Sequence, residues 1–432
     1  MKRTLTALLA IVPLALTTVA CSVDSGGGGG DAAESAGKHG PITIWYSNNT
    51  EEVAWGKDMV TKWNDAHPDE KITAQEIPAG KTAEEAIGAS ITAGTAPCLV
   101  LNTAPAAVPQ FQKQGGLVAL DDFSDGAKYI EDRTGENAEQ YKSPDGKYYQ
   151  LPWKSNPVVI FYNKKAFAKA GIDAENPPLS TYDEFLDTSR KIVKSKAAQY
   201  AIWPSPSSEF FQNWFDFYPL FAAETDGKQL VEDGKATFAG DEGKRVAAFW
   251  QKIYAEGLAG KEKYNGDAFA DGKAAMAIVG PWAIPVYKGK VDWGVVPVPT
   301  SAGKSAADTY TFSDAKNVAM YSACKNRGTA WDVLKFATSK EQDGAFLEAT
   351  GQMPLRTGLK DAYPDYFQQN PAYTEFADLT ARTVEVPNVP NSIAIWQAVR
   401  DAYSNSVIFG KSDPAQAMQD AAAKVDQLAG QS

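Results

Sequence analysis

The uncharged segment Ile42-Thr43-Ile44-Trp45-Tyr46 begins the pattern that decides the fold. Its β-branched and aromatic residues predict a buried strand. Apolar residues then recur at helical spacing between positions 53 and 63, and Pro68 ends this helix. A second strand over 72–77, a second helix over 82–93 and a third strand over 98–101 follow. This alternation predicts the opening of a doubly wound parallel sheet with helices on both faces.

A second α/β unit begins near residue 151. The uncharged run over 158–162 predicts another buried strand. Thr181-Tyr182-Asp183-Glu184 has the pattern of a capping box, and it predicts a helix that begins after Pro177-Pro178. Further strands are predicted over 274–279, 293–298 and 317–323, and the final helices over 392–405 and 413–428. The chain therefore predicts two α/β halves.

Composition narrows the class of function. The 432 residues include 42 basic and 53 acidic side chains and give a net charge of −11. That length predicts two or three domains. A nucleic-acid-binding protein normally carries a basic face, so no nucleic-acid partner is expected. Two histidines and three cysteines leave little for a metal site or a redox framework, and no cofactor or metal is predicted.

The N-terminus has the pattern of an export signal. Met1-Lys2-Arg3 is followed by a short apolar run, which predicts a signal peptide over 1–20. Ala20 directly before Cys21 resembles a bacterial lipobox, although Thr18 stands where leucine is favoured. Ordinary cleavage near Ala20 is the alternative. Residues 21–40 are rich in glycine and predict a flexible tether behind a lipidated Cys21. We expect an exported protein, anchored by lipid on the outer face of the bacterial cytoplasmic membrane.

Two further cysteines, Cys98 and Cys324, stand 226 positions apart. The exported compartment permits a disulfide between them. Two buried free thiols are the alternative that the residues alone leave open.

Four motifs carry a resemblance to a known family. They are Pro152 followed by Val159-Ile160-Phe161-Tyr162-Asn163-Lys164 and Phe167, Phe269-Ala270-Asp271-Gly272-Lys273 followed by Gly280-Pro281-Trp282, Ala330-Trp331-Asp332-Val333-Leu334-Lys335-Phe336, and Val386-Pro387-Asn388-Val389-Pro390 followed by Trp396-Gln397-Ala398-Val399. Because these four motifs occur in this order, the chain resembles the family-1 extracellular solute-binding proteins of ABC importers, the maltose-binding-protein-like group. Trp153 and Lys154 depart from it, because the family usually has small or aliphatic residues there.

The resemblance implies an α/β, two-lobed periplasmic-binding-protein fold. Each lobe would be a mostly parallel sheet flanked by helices, with the ligand cleft between the lobes. The N-lobe would comprise 41–152 plus 309–360, and the C-lobe 153–308 plus 361–432. The strands that carry Cys98 and Cys324 would be antiparallel neighbours, which implies a Cys98–Cys324 disulfide.

The function implied is that of a binding protein and not an enzyme. The lobes would close on an oligosaccharide by hinge bending, and the monomeric lipoprotein would deliver it to membrane permease subunits of an ABC importer. A binding protein for a non-sugar solute is one alternative. A secreted glycoside hydrolase is another, since Glu209 and Asp216 could supply a carboxylate pair.

Sugar recognition needs flat aromatic faces beside groups that donate and accept hydrogen bonds. The resemblance assigns such contacts to loops after the first and third strands, to the segment before Tyr162, to the Gly280-Pro281-Trp282 turn and to one late helix. The aromatic segment 203–214 cannot be matched to a position of the family, but it adds Phe210 and Trp214 as candidate ligand contacts. The predicted ligand-binding residues are Trp282, Trp396, Arg400, Asn48, Asn49, Asn102, Trp153, Asn156, Trp214 and Phe210. The segment 308–314 departs from the Gly-rich stretch of the family, and it could supply polar ligand contacts or only connect the lobes.

Overall fold

The computed structural model describes residues 37–47, 49–78, 82–204 and 216–430. Within these ranges the strands, in chain order, are β1 Ile42–Tyr46, β2 Ile72–Glu76, β3 Leu99–Thr103, β4 Leu151–Lys154, β5 Val159–Asn163, β6 Tyr200–Ile202, β7 Val231–Glu232, β8 Lys235–Ala236, β9 Ala274–Val279, β10 Trp293–Val296, β11 Thr311–Phe312, β12 Lys316–Met320 and β13 Thr383–Val384.

Helices cover both faces of the sheets that these strands form. In chain order they are α1 Thr50–Ala66, α2 Ala83–Ala93, α3 Val108–Lys113, α4 Gly126–Thr134, α5 Lys164–Lys169, α6 Tyr182–Lys194, α7 Phe217–Glu224, α8 Asp241–Ala255, α9 Ala283–Tyr287, α10 Arg327–Ala337, α11 Lys340–Thr350, α12 Leu359–Ala362, α13 Pro364–Gln369, α14 Thr374–Leu379, α15 Ser392–Tyr403 and α16 Pro414–Ala429. The capping box predicted at Thr181 is confirmed, because its hydroxyl accepts a hydrogen bond from Glu184 N and the Glu184 carboxylate accepts one from Thr181 N.

The first lobe is built on a five-stranded sheet in the order β2-β1-β3-β12-β4. Strand β1 runs parallel to β2 and β3, whereas β12 runs antiparallel to β3 and β4. The three parallel strands are the ones predicted from residues 42–101. The late strand β12 comes back from the second lobe and therefore enters the sheet in the opposite direction.

The second lobe contains a four-stranded sheet in the order β10-β5-β9-β6. Strand β5 is antiparallel to both of its neighbours, and only β6 and β9 pair in parallel. The two-lobed α/β architecture is as predicted. Each sheet has one reversed strand, β12 in the first and β5 in the second, because each of these strands follows a segment that crosses between the lobes; the other strands of each sheet run in one direction, as predicted.

Apolar residues fill both faces of each sheet. Trp55, Trp63 and Trp331 pack in the first-lobe core, and Trp250 packs in the second-lobe core. Their helical spacing in the sequence predicts this packing role. Among the residues described, no helix is long and apolar enough to cross a membrane.

A disulfide joins Cys98 to Cys324, as the family resemblance implies. Strands β3 and β12 are antiparallel neighbours, with Leu99 opposite Met320. Cys98 precedes β3 and Cys324 follows β12, so the two cysteines meet at one edge of the sheet. Both are buried.

In the part of the chain that the structure describes, three segments pass between the lobes, and we call them the crossing segments: 155–158, 313–315 and 351–358. Strand β4 lies wholly in the first sheet, so the boundary predicted between residues 152 and 153 falls inside a strand. Strand β11 pairs with β13 beside the second-lobe core, so the second crossing follows Phe312 and not residue 308.

Candidate functional site

The parallel strands β1 and β3 end at the same edge of the first sheet, and ligands of open α/β sheets bind outside such an edge. Ser47 and Asn49 follow β1. Asn49 donates its backbone N–H to Ser47 Oγ at 3.0 Å, and its side-chain oxygen accepts from Glu51 N and Glu52 N at 3.1 Å each. Asn49 is therefore the N-cap of α1 as well as a residue of the predicted ligand loop.

Asn102, predicted as a ligand contact, lies in the last part of β3 with a backbone φ of +147°. Residues other than glycine rarely adopt a positive φ, and backbone strain of this kind concentrates at functional sites. The next residue, Thr103, is buried and shares a 3.0 Å hydrogen bond with the Tyr321 hydroxyl. The fold thus holds Asn102, half-buried, in an unusual conformation at the predicted ligand edge.

Sequence reasoning missed a charged pair at this edge. Lys316 begins β12, and its Nζ lies 2.9 Å from the Asp314 carboxylate, with about a quarter of each side chain exposed. Burial alone would lower the pKa of Lys316, but Asp314 outweighs it and the pKa is raised, with smaller contributions from Glu84 and Glu385. The i,i+2 spacing of the two residues on an extended segment is the signal that could have found them. From the sequence, segment 308–314 could either supply polar ligand contacts or only connect the lobes. Its last two residues belong to the second crossing, and Asp314 places a carboxylate at this edge.

Trp282 is the aromatic candidate that the second lobe presents. It is half-buried, immediately precedes α9 and packs against the apolar clusters on both faces of the second sheet. A Cβ atom on Gly280 would lie 2.0 Å from its ring carbon Cζ3, so the glycine leaves the space that the indole occupies. Arg400, on α15, is partly exposed and donates from Nε to Asp401 at 2.9 Å.

Trp153 does not line the cleft, contrary to expectation. Its side chain is 1% exposed and packs between Trp55, at a ring-centroid distance of 5.5 Å, and Phe346, at 4.7 Å. Strand β4 turns this side chain toward α1 and α11, where a large aromatic ring is needed to fill the first-lobe core. Its role is packing.

Trp396 is likewise inside, at 0% exposure. It belongs to the face of α15 that also buries Ile395, Val399 and Tyr403 against the second-lobe core. In this conformation its ring has no exposed face on which a sugar could stack. Helical spacing puts Trp396 and Arg400 on one side of α15, but only the arginine reaches the surface.

Asn156 is also enclosed, at 2% exposure, in the first crossing segment. Its side chain bonds to the other two crossings, so it cannot contact a ligand in this conformation. Three of the predicted ligand residues, Asn48, Phe210 and Trp214, lie outside the described residues, as does Cys21.

Beside the crossings lie two buried carboxylates. Glu52, on the first turn of α1, accepts a hydrogen bond from Lys154 Nζ at 2.5 Å, and burial lowers the pKa of Lys154 despite this contact. Glu385 is 1% exposed, and burial raises its pKa to about 8. These carboxylates between the lobes are thus enclosed by the protein, and burial determines how Glu385 and Lys154 bind protons.

The sequence pattern of the bacterial extracellular solute-binding proteins matches residues 58–375. This range covers most of the chain, including every strand of the two main sheets except β1. The chain belongs to this family.

Three known proteins are similar to this solute-binding protein. The diacetylchitobiose-binding protein of Streptomyces coelicolor is 26% identical, over 95% of each chain. The galactooligosaccharide-binding protein of Bacillus subtilis is 25% identical, over 90% of each chain. The crystal structure of the cyclic α-maltosyl-1,6-maltose-binding protein of Arthrobacter globiformis superposes with a TM-score of 0.75 at 20% identity, over 91% of this chain and 100% of that one.

The structural likeness confirms the two-lobed fold. The family and these relatives are binding proteins, and the family name places them outside the cell. In this solute-binding protein, the edge of the first sheet at which β1 and β3 end is polar and partly charged, and Trp282 of the second lobe is half-buried.

Proposed function

We propose that this protein is the substrate-binding lipoprotein of an ABC importer. It captures an oligosaccharide in the cleft between its lobes by hinge closure and delivers it to permease subunits in the membrane. It acts as a monomer, and it has no catalytic role.

The observation that carries the proposal is the half-buried Trp282 of one lobe together with the polar edge of the other, formed by Asn49, Asn102, Asp314 and Lys316. An indole covers the apolar C–H face of a sugar ring, while amide and charged groups bond to its hydroxyls. Relatives that bind diacetylchitobiose and galactooligosaccharides support the same ligand class.

A thermal-shift screen of the mature protein tests the ligand class. The panel should contain chito-, malto- and galactooligosaccharides, with amino acids and polyamines as competing solute classes. A ligand that binds only the native state stabilises it, and so raises the melting temperature. At a ligand concentration a hundredfold above Kd, the added free energy of unfolding is about 2.7 kcal/mol. A shift with an oligosaccharide supports the proposal, and a shift with only a non-sugar solute refutes it.

The absence of catalysis is tested with the same sugars. Pure protein is incubated with each oligosaccharide that raises the melting temperature, and the products are separated by chromatography. We expect the sugar to be recovered intact. Steady release of shorter sugars would instead indicate a hydrolase.

The lipid anchor rests on the Ala20-Cys21 junction and the glycine-rich residues that follow. Cells that express the full chain are fed a labelled fatty acid, and the Cys21→Ser variant is the control. We expect label in the wild-type protein alone, and release of the variant from the membrane fraction. An unlabelled wild-type protein would refute the anchor.

A further inference from the structure

Asn156 touches both of the other crossing segments. Its side-chain Nδ2 donates to Gln352 Oε1 at 3.0 Å and to the Asp314 carbonyl at 3.3 Å. Its Oδ1 accepts from Met353 N at 3.4 Å. One buried amide therefore joins the first crossing, 155–158, to the second, 313–315, and to the third, 351–358.

Backbone and hydroxyl groups reinforce the same junction. Asp314 N donates to the Asn156 carbonyl at 3.1 Å, and Ser155 N donates to the Met353 carbonyl at 2.9 Å. The hydroxyls of Ser155 and Ser313 lie 2.7 Å apart. The first crossing is thus bonded to each of the other two, so it cannot rotate without displacing both.

The junction extends to the ligand edge of the first lobe. Gln352 uses its oxygen for Asn156 and donates from Nε2 to Glu52 Oε1 at 2.7 Å. Glu52 lies on the first turn of α1, and Asn49 caps that turn by accepting from Glu52 N. A continuous set of hydrogen bonds thus leads from the predicted ligand loop to all three crossings.

We propose that Asn156 is a positioning residue that ties the three crossings into one hinge, and that Gln352 connects this hinge to α1. The biological role of this hinge rests on the proposed function, because the hinge would guide the lobes as they close on a ligand. Neither side chain is a ligand contact. Both are buried, so bonds lost on substitution cannot be replaced by bulk water.

The test measures the distance between the lobes without ligand. Spin labels are attached at Lys62→Cys on α1 and Lys252→Cys on α8, in mature protein with Cys21→Ser and the Cys98–Cys324 disulfide intact. Pulsed electron resonance then gives the distance distribution for the parent protein and for the Asn156→Ala and Gln352→Met variants.

Asn64→Ala is the matched control. Asn64 also uses both ends of its amide, donating to the Ile72 carbonyl at 3.0 Å and accepting from Ile72 N at 2.7 Å, but within the first lobe. Circular dichroism verifies that each variant is folded. If Asn156→Ala does not fold, Gln352→Met decides the question, because it preserves side-chain volume while removing both bonds.

We expect Asn156→Ala and Gln352→Met to increase the population outside the parent distance peak by about fivefold or more, the equivalent of losing one buried hydrogen bond. Asn64→Ala should leave the distribution unchanged. Parent-like distributions in the folded Asn156 and Gln352 variants would overturn the proposal, and so would an equal change in Asn64→Ala. Because no sugar is present, a negative thermal-shift screen would refute the ligand class without affecting this result.

Discussion

Trp282 is the single side chain on which the carbohydrate proposal depends most. Its indole is held over Gly280 at the start of α9, and the residue as a whole is half-buried. The pre-set orientation matters because a rigid aromatic face loses little conformational entropy when a sugar stacks on it.

Trp282→Ala should weaken oligosaccharide binding by about five- to a hundredfold, because it removes an apolar contact of roughly 1–3 kcal/mol. Gly280→Ala should weaken binding as well, since its Cβ would displace the indole. Isothermal titration measures both. Trp293→Ala is the control, because Trp293 is also half-buried but packs on Phe161 at a ring distance of 5.1 Å. Unchanged affinity in Trp282→Ala would remove this residue from the site.

The buried carboxyl group of Glu385 should make the stability of the protein depend on pH. Burial raises its pKa to about 8, and the Asp314 charge adds to the effect, while Val386 N, Lys316 and Tyr141 oppose it. The folded state therefore holds a proton between about pH 4.5 and 8 that the unfolded state releases, so stability falls as pH rises through this window.

The contribution of Glu385 should approach a slope of about 1.4 kcal/mol per pH unit. Urea unfolding at pH 5.5, 7 and 8.5 compares the wild type with Glu385→Gln, which mimics the protonated acid. We expect the glutamine variant to gain stability relative to the wild type as pH increases. Identical pH slopes in the two proteins would show that the carboxyl titrates normally.

At the scale of elements, α1 and β4 are joined by the buried pair Glu52–Lys154. The lysine Nζ also lies 4.9 Å from the Trp153 ring and 5.6 Å from the Phe346 ring. Trp153 and Lys154 are the two positions that we expect to depart from the family pattern, and they lie side by side in this cluster. The aromatic rings enclose the ion pair, so the two residues form one packing unit with α1 and α11.

Lys154→Met should destabilise the protein by about 3–5 kcal/mol, because it leaves the Glu52 carboxylate buried without its cation. The double variant Glu52→Gln/Lys154→Met should recover much of this loss. Lys62→Met is the matched control: Lys62 pairs with Asp58 on the same helix in an exposed position, where about 0–1 kcal/mol is expected. Urea denaturation measures all four proteins. Equal losses for Lys154→Met and Lys62→Met would contradict the special role of the buried pair.

At the scale of the whole molecule, the three crossing segments of the described ranges mean that each lobe is assembled from distant segments. The first-lobe sheet needs β12, which comes some 160 residues after β4. The Cys98–Cys324 disulfide fixes that late strand to β3 and closes a loop of 226 residues that contains most of the second lobe.

Replacing both cysteines by alanine should lower the free energy of unfolding by about 2–5 kcal/mol, because the unfolded chain regains the freedom that the cross-link removes. Equilibrium unfolding of the disulfide-bonded protein and the Cys98→Ala/Cys324→Ala variant gives the difference. A thiol assay on denatured, unreduced protein with Cys21→Ser should detect no free thiol. Two free thiols would show that the bond does not form in the cell.

Much of the architecture is present in the sequence itself. The alternation of strands and helices over 42–101 follows from local periodicity, and the capping box at Thr181 begins α6 where predicted. Likewise, the helical spacing of Trp55, Trp63, Trp250 and Trp331 is enough to identify them as core. These features are local, since a few neighbouring residues determine which face of a helix or strand is apolar.

Only the tertiary structure decided which polar and aromatic residues are accessible. Trp153 and Trp396 stand beside polar loops in the sequence, yet α11 encloses one and the second-lobe core encloses the other. Asn156 has the chemistry of a sugar contact, but Asp314 and Gln352, about 160 and 200 positions away, occupy its amide. The sequence by itself determined the order of elements and the family. Exposure and hydrogen-bond partners depend on which distant segments pack together, and three crossings bring together segments whose separation no local pattern records.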